Sequence, residues 1–290
     1  PPGTLLSFGH GYSAAALAWR LLPLGWRVIG TTRTPAREAD LHAQGVAPRL
    51  WPGTDISDLS HDLLQVSHVL ISTGPAEAGD PVLRDFAEGL RAAAPRLTWV
   101  GYLSTTGVYG DHQGGWVDES TPLTPTTRRG RWRMAAETAW TELAQDAGLP
   151  LHIFRLAGIY GPGRGPFAKV RAGTARRIIK PNQVFSCIHV EDIASVLAAS
   201  IARPNPGAVY NVCDNEAAPP EDVIAHAAAL LGLPLPPAVA YDAAEMTPMA
   251  RSFYAESKRV RNDRIREELG VELLYPDYRA GLAALLADEG

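Results

Sequence analysis

The chain is poor in cysteine, poor in lysine, and without a long apolar run. Cys187 and Cys213 are its only cysteines among 290 residues. Two thiols with no spacing motif build neither a disulfide framework nor a zinc site, and they fit a reducing compartment as two small buried hydrophobes. No apolar stretch reaches the roughly 18–20 residues that an α-helical membrane span requires. Leu5–Phe8 is too short for a signal-peptide core and no basic segment precedes it, so a cytoplasmic location is expected. A positive excess is missing too. A net charge of −4 and a pI near 6.1 exclude nucleic acid or an anionic membrane as the main partner, leaving a small molecule. Lysine occurs only at Lys169, Lys180 and Lys258, so lysine chemistry has few places to reside. Between Asp111 and Pro150 there is neither a tyrosine nor a lysine.

What is present reads as a soluble α/β chain. A hydrophobic share of 46% beside 20% charged residues is that of an ordinary globular protein, and the length suits one large unit with a smaller lobe. The opening stretch, Thr4 to Trp19, reads as strand, glycine turn and helix. Gly9, Gly11 and Ala14 occupy the three small-residue places of a G-x-G-x-x-G/A turn. The first permits the tight turn, the second lets backbone approach a pyrophosphate, and the third lets the helix pack closely on the sheet. Tyr12 and Ser13 fall in the first helical turn, where unpaired N–H groups and the positive dipole end face a phosphate.

Strands are expected at 27–33, 48–51, 68–72, 97–103, 151–156 and 209–212. Helices are expected at 13–22, 36–44, 81–94, 127–147, 192–202 and 219–231, with two more near 262–269 and 278–287. This alternation implies a parallel, doubly wound sheet. Residues 107–127 read as a loop, 168–187 as an irregular segment, and 234–261 as a lobe-like insert. The apolar stripe Trp132, Ala136, Ala139, Trp140 and Leu143 reads as core packing. Asp192 reads as a helix cap, and a metal site at His189 and Asp192 lacks a third ligand at sensible spacing.

With these landmarks placed, the chain resembles an extended short-chain dehydrogenase/reductase of the NAD-dependent epimerase/dehydratase type. The resemblance rests on Ser104-Thr105-Thr106-Gly107-Val108-Tyr109-Gly110, on Arg155 through Gly163, on Phe185 through Ala194 with its Ile-His-Val-Glu-Asp core, and on Tyr210-Asn211-Val212 and Glu267 through Gly270. It implies a Rossmann-type dinucleotide-binding domain over 1–160, with a strand and helix near 188–212 returning to it. Residues 161–290 would be mostly a substrate lobe. Ser72, Thr73 and Gly74 at the fourth strand's end, and Ile159 after the sixth, would line the cofactor. By analogy a homodimer would form through the helices near 81–94 and 127–147.

The second strand ends in Thr31-Thr32-Arg33 with no acid before Glu38. An acid there would bind a ribose 2′-hydroxyl and favour NAD. Arg33 instead suits a 2′-phosphate through its planar fork, so NADP is expected, with NAD as the alternative and a solvated arginine as the plain reading. Asp55 is either an adenine-edge contact or a helix cap.

The resemblance fails at its chemical centre. The family pairs a Ser or Thr at the fifth strand's end, here Thr105, with Tyr-x-x-x-Lys on the next helix. Aligned through Glu137, Arg133 stands on the lysine and Arg129 on the tyrosine. Arginine at the lysine place can still bind a ribose, but arginine at the tyrosine place cannot shuttle a proton at neutral pH. Arg129 and Arg133 together suit an anion, unless Arg129 only faces solvent. Tyr109 is the substitute donor to consider beside its plainer structural role. Tyr254-Ala-Glu-Ser-Lys258 repeats the motif in letters, by coincidence or at best as a pair reaching into a substrate cleft. Two functions follow: an atypical NADP-dependent oxidoreductase or epimerase on a small, anionic or nucleotide-linked substrate, or a non-catalytic dinucleotide-binding sensor.

Overall fold

The computed structural model describes residues 1–51 and 56–289. In chain order the strands are β1 (Thr4–Phe8), β2 (Arg27–Thr32), β3 (Ala47–Leu50), β4 (His68–Ile71), β5 (Trp99–Thr105), β6 (Trp116–Val117), β7 (Leu151–Leu156), β8 (Gly158–Tyr160), β9 (Arg177–Ile179), β10 (Cys187–His189), β11 (Val209–Val212), β12 (Ala238–Ala240) and β13 (Arg259–Val260). The α-helices are α1 (Tyr12–Leu21), α2 (Glu38–Ala43), α3 (Ser57–Leu63), α4 (Pro81–Ala93), α5 (Arg128–Ala147), α6 (Phe167–Arg171), α7 (Val190–Ala202), α8 (Pro220–Leu231), α9 (Pro248–Tyr254), α10 (Asp263–Glu267) and α11 (Tyr278–Asp288).

Seven strands form one parallel sheet in the order β11-β7-β5-β4-β1-β2-β3. Its inner strands are buried on both faces, so β4 and β7 are buried at every residue, His68, His152 and Arg155 included. One face packs α1 and α7 through Leu17, Ala18, Ile193, Val196 and Leu197. The other packs α3, α4 and α5 through Leu63, Phe86, Leu90, Ala136 and Trp140. A third apolar cluster, with Phe167, Val170, Ala227, Tyr278 and Leu282, joins α6, α8 and α11 in the C-terminal half.

Local chemistry sets the ends of the two helices that frame the site. Asp80 caps α4, accepting from Val82 N and Leu83 N, and Pro81 fills the first turn where no N–H is needed. Thr127 caps α5 by accepting from Gly130 N, and Gly148 closes it at φ +72°.

The strand order reverses between β1 and β4, the place where open α/β sheets leave a crevice at their carboxyl ends. The glycine turn follows β1 and residues 72–74 follow β4, so both flank that crevice.

The segments read as loops carry short structure of their own. Residues 107–127 hold a 3-10 turn, Thr106–Tyr109, and β6. The 168–187 segment contains most of α6, then β9 and the start of β10. Residues 234–261 contain β12, α9 and β13, and β13 pairs with β6. Asp192 does not cap α7. His189 does, accepting at Nδ1 from Glu191 N, while the buried Asp192 carboxylate receives Leu274 N and Tyr275 N at 2.7 and 3.0 Å.

Candidate functional site: a two-sided cleft

Gly9 has φ +76°, and a Cβ there would lie 2.7 Å from Thr73 Cγ2. The turn must therefore be glycine for the backbone to sit against the end of β4. Gly9 N donates to Thr31 Oγ1 at 2.7 Å, tying the turn to β2. Gly11 differs. A Cβ there would meet only Gly9 O, at an ordinary 3.7 Å. The protein itself leaves room at Gly11, and no packing against the described residues requires glycine there.

Gly11 also precedes α1 without capping it by a side chain, so the first-turn amides keep their donors. Ala14 is buried where α1 meets the sheet, and Ser13 is buried beside it. Tyr12 reaches across: its hydroxyl donates to Pro162 O at 2.8 Å, under the Arg164 guanidinium. On the β4 side, the Ser72 and Thr73 hydroxyls are buried with no partner among the described residues. An uncapped helix start, a glycine cradle open to the outside and two orphaned hydroxyls fit a dinucleotide at this crevice.

His10, between the two glycines, is 4% exposed and neither ring nitrogen finds a partner among the described residues. Burial, aided by the Arg37 charge, pushes its pKa down to about 4. Arg33 is exposed beyond β2 and makes no hydrogen bond or ion pair among the described residues, leaving its fork free. Asp55 lies outside the described residues.

Beside this crevice opens a cleft of about 1060 Å³, running from Gly74 past Thr105 and Ile159 to the C-terminal lobe. Thr105 ends β5, and its Oγ1 accepts from Gly107 N at 3.1 Å. The next helix abuts this turn: a Cβ on Gly130 would lie 3.1 Å from Gly107 O. Arg129 and Arg133, on either side of Gly130, line the same cleft as Thr105.

Arg133 is fixed. Its Nη1 donates to Tyr102 Oη at 3.0 Å and to Leu103 O at 2.9 Å, and its Nη2 lies 3.6 Å from the place of a Cβ on Gly74. It faces the crevice from the family's lysine place. Arg129 is exposed at the cleft mouth, where its Nη1 touches Met249 Sδ at 3.5 Å. Trp132 departs from the expected core stripe. It is half-buried, lines the cleft and carries Arg128 over its ring at 5.0 Å, whereas Ala136, Trp140 and Leu143 do enter the core.

Tyr109 is not beside the cleft. It is fully buried, donates to Asn211 Oδ1 at 2.6 Å and accepts from Arg155 Nη1 at 3.0 Å. Burial pushes its hydroxyl up to about 12, against the nearby Arg155 charge. With its proton held inward it is a structural tyrosine, because the 3-10 turn after Thr105 rotates it into the core.

The lettered decoy behaves otherwise. Tyr254 and Lys258 both line the cleft, joined there by Glu256. They share no helix face, since α9 ends at Tyr254. Lys258 Nζ donates to Gly110 O at 3.1 Å and Glu256 Oε2 at 3.2 Å. Glu256 Oε1 receives the Thr126 hydroxyl at 2.6 Å. Between them Ser257 is stitched to the loop after Thr105: its N donates to Asp111 Oδ1, and its O accepts from His112 N and Gly114 N. The Tyr-x-x-x-Lys spacing and the scarcity of lysine were the local signals at Lys258, and of the two readings offered for the pair it is the one reaching into a cleft that the structure matches.

The NAD dependent epimerase/dehydratase family matches residues 84–213. Protein YeeZ of Escherichia coli (strain K12) is 30% identical over 280 residues, covering 93% of this chain and 95% of that protein. A solved structure of a functionally unknown conserved protein from Silicibacter pomeroyi is 64% identical, with a TM-score of 0.93 over 99% of both chains. The UDP-glucuronic acid 4-epimerase of Bacillus cereus, solved with UDP-glucuronic acid and NAD, shares the fold at 17% identity. Its TM-score is 0.75 over 99% of this chain and 100% of that one.

Proposed function

The chain belongs to the NAD-dependent epimerase/dehydratase family, and on that premise we propose that it is an NADP-dependent oxidoreductase or epimerase whose protic group has moved off helix α5. Gly9, Gly11, the first turn of α1, Ser72 to Gly74 and Arg133 would hold the dinucleotide, with Arg33 on a 2′-phosphate. The bound nicotinamide supplies a hydride donor or acceptor. The chain's own residues supply the rest.

The Thr105 oxygen already accepts from Gly107 N, so its proton is free for a substrate oxygen. Arg129 and Arg133 keep their protons at neutral pH. Lys258 brings an ammonium group to the same cleft. Two of its three donors are engaged by Gly110 O and Glu256, and the third is left for the cleft. The observation that carries this reading is that Thr105 and Lys258 line the same cleft, which begins at Gly74.

The test has two parts. NADPH and NADH are titrated by nucleotide fluorescence, with NADPH expected to bind more tightly. Carbonyl compounds are then screened at 340 nm, with Lys258→Met expected to lose turnover while keeping NADPH affinity. Failure of both nucleotides to bind defeats the reading.

Arg129 in the tyrosine place favours a second reading, a dinucleotide-binding sensor without turnover. Its mark is tight binding that discriminates strongly between NADP⁺ and NADPH, with no substrate consumed.

A further inference from the structure

The charge pattern along the cleft bears on the substrate. On the wall that follows Ile159, the charged residues lining the cleft are Glu256 and Lys258, and these pair with each other at 3.2 Å. The cations nearby are engaged elsewhere. Lys180 donates to Tyr254 O and lies over the Tyr241 ring. Arg177 donates to Pro236 O at 2.8 Å, and Arg251 to Ala244 O at 2.7 Å. Among the described residues that line this wall, a substrate diphosphate would meet a carboxylate and one lysine already paired with it, although such groups are held by arginine forks and lysines.

The rest of that wall is mainly apolar, with Ser186 and Ser252 among its few polar side chains. Val184, Phe185, Val223, Tyr254, Tyr278 and Leu282 line it. Phe185 and Tyr254 meet edge to face at 5.3 Å, and Tyr278 and Leu282 belong to the lobe's own apolar core. Burying apolar substrate surface against it gains roughly 25 cal/mol per Å². Positive charge without a carboxylate partner among the described residues lines the cleft at the α5 end, where Arg128, Arg129 and Arg133 stand. There Arg129 keeps its guanidinium exposed, with a thioether sulfur as its contact, next to the turn that presents Thr105.

We propose that this cleft takes an amphipathic 2-oxo acid, or the matching 2-hydroxy acid, with an aromatic or bulky alkyl body, and not a nucleoside-diphosphate sugar. The carboxylate pairs with Arg129, the neighbouring oxygen takes the Thr105 hydroxyl, and the body lies on the apolar wall. This rests on the cofactor reading above and names the substrate class for the same site.

The test uses the NADPH-saturated protein, so cofactor binding is read separately and first. If NADPH fails to bind, it is the cofactor reading that fails, and this assignment falls with it. With NADPH bound, 4-phenyl-2-oxobutanoate, its carboxylate-free analogue benzylacetone, and UDP-glucose are titrated by calorimetry. The oxo acid should bind, benzylacetone should bind about tenfold more weakly, and UDP-glucose should neither bind nor compete. Arg129→Met should erase the difference between oxo acid and benzylacetone. Phe253→Asp should weaken both while leaving NADPH affinity unchanged. Both substituted side chains are exposed at the cleft, so the fold is not at stake. UDP-glucose binding as tightly as the oxo acid, no oxo acid binding, or an oxo acid preference that survives Arg129→Met overturns the assignment.

Discussion

Arg155 and Glu137 form a buried ion pair behind the cleft. Arg155 Nη2 donates to Glu137 Oε1 at 2.7 Å, and both side chains are under 10% exposed. Ser104 Oγ donates to Glu137 Oε2 at 2.6 Å, and Arg155 Nη1 continues to Tyr109 and so to Asn211. One network thus joins β5, α5, β7 and β11 immediately behind Thr105. Removing one partner leaves an uncompensated buried charge. Glu137→Ala should cost about 3–5 kcal/mol in denaturant unfolding. Replacing both residues with apolar ones of similar volume should cost less than Glu137→Ala alone.

The two glycines of the first turn should separate stability from binding. Gly9→Ala forces a side chain into left-handed backbone 2.7 Å from Thr73 Cγ2 and should lower stability by roughly 1–3 kcal/mol. Gly11→Ala meets no such obstacle. Its melting temperature should stay at the parent value while dinucleotide affinity falls, as read by nucleotide fluorescence. Equal loss of stability in the two variants contradicts this division.

Arg33 should set the choice of dinucleotide. Its free fork contributes only if a 2′-phosphate is there to meet it. Arg33→Ala should weaken NADPH binding roughly ten- to a hundredfold and leave NADH unchanged. A parallel fall for both nucleotides removes Arg33 from cofactor selection.

Asp214 makes stability fall as pH rises. It is 3% exposed, and its Oδ2 finds no partner among the described residues. Burial, with Asp277 and Glu216 nearby, pushes its carboxyl up to about 8. The folded state therefore holds a proton that the unfolded chain releases near its ordinary value of 3.8. Its contribution is full below that value and is lost between there and about 8, at about 1 kcal/mol per pH unit. Asp214→Asn keeps the acceptor for Glu216 N and removes the charge. Its stability advantage over the parent should widen from pH 5 to pH 8 in guanidinium titrations. A constant difference across that range contradicts the raised value.

Much of the cofactor half was legible in the residues. Leu151–Leu156 and Val209–Val212 form strands with the bounds expected, because β-branched, aromatic and other large apolar residues dominate both short stretches. The glycine turn was legible for a similar reason, since a left-handed residue and a close backbone approach demand glycine in one short stretch. The cleft was less so. For Tyr109 and Lys258 the sequence left two readings each: the tyrosine near Thr105 turns inward, in its structural role, and the distant lysine lines the cleft.

The sequence by itself determined the parallel sheet, the glycine turn after β1 and the absence of a Tyr-x-x-x-Lys pair on α5. Periodicity and turn chemistry are properties of a few neighbouring residues, so they survive without the rest of the chain. Only the tertiary structure decided which protic groups line the cleft. Lys258 arrives there because β13 pairs with β6 and Ser257 hydrogen-bonds the loop after Thr105, contacts more than 140 residues apart in sequence. Such long-range pairing depends on how whole surfaces fit together, which no local spacing records.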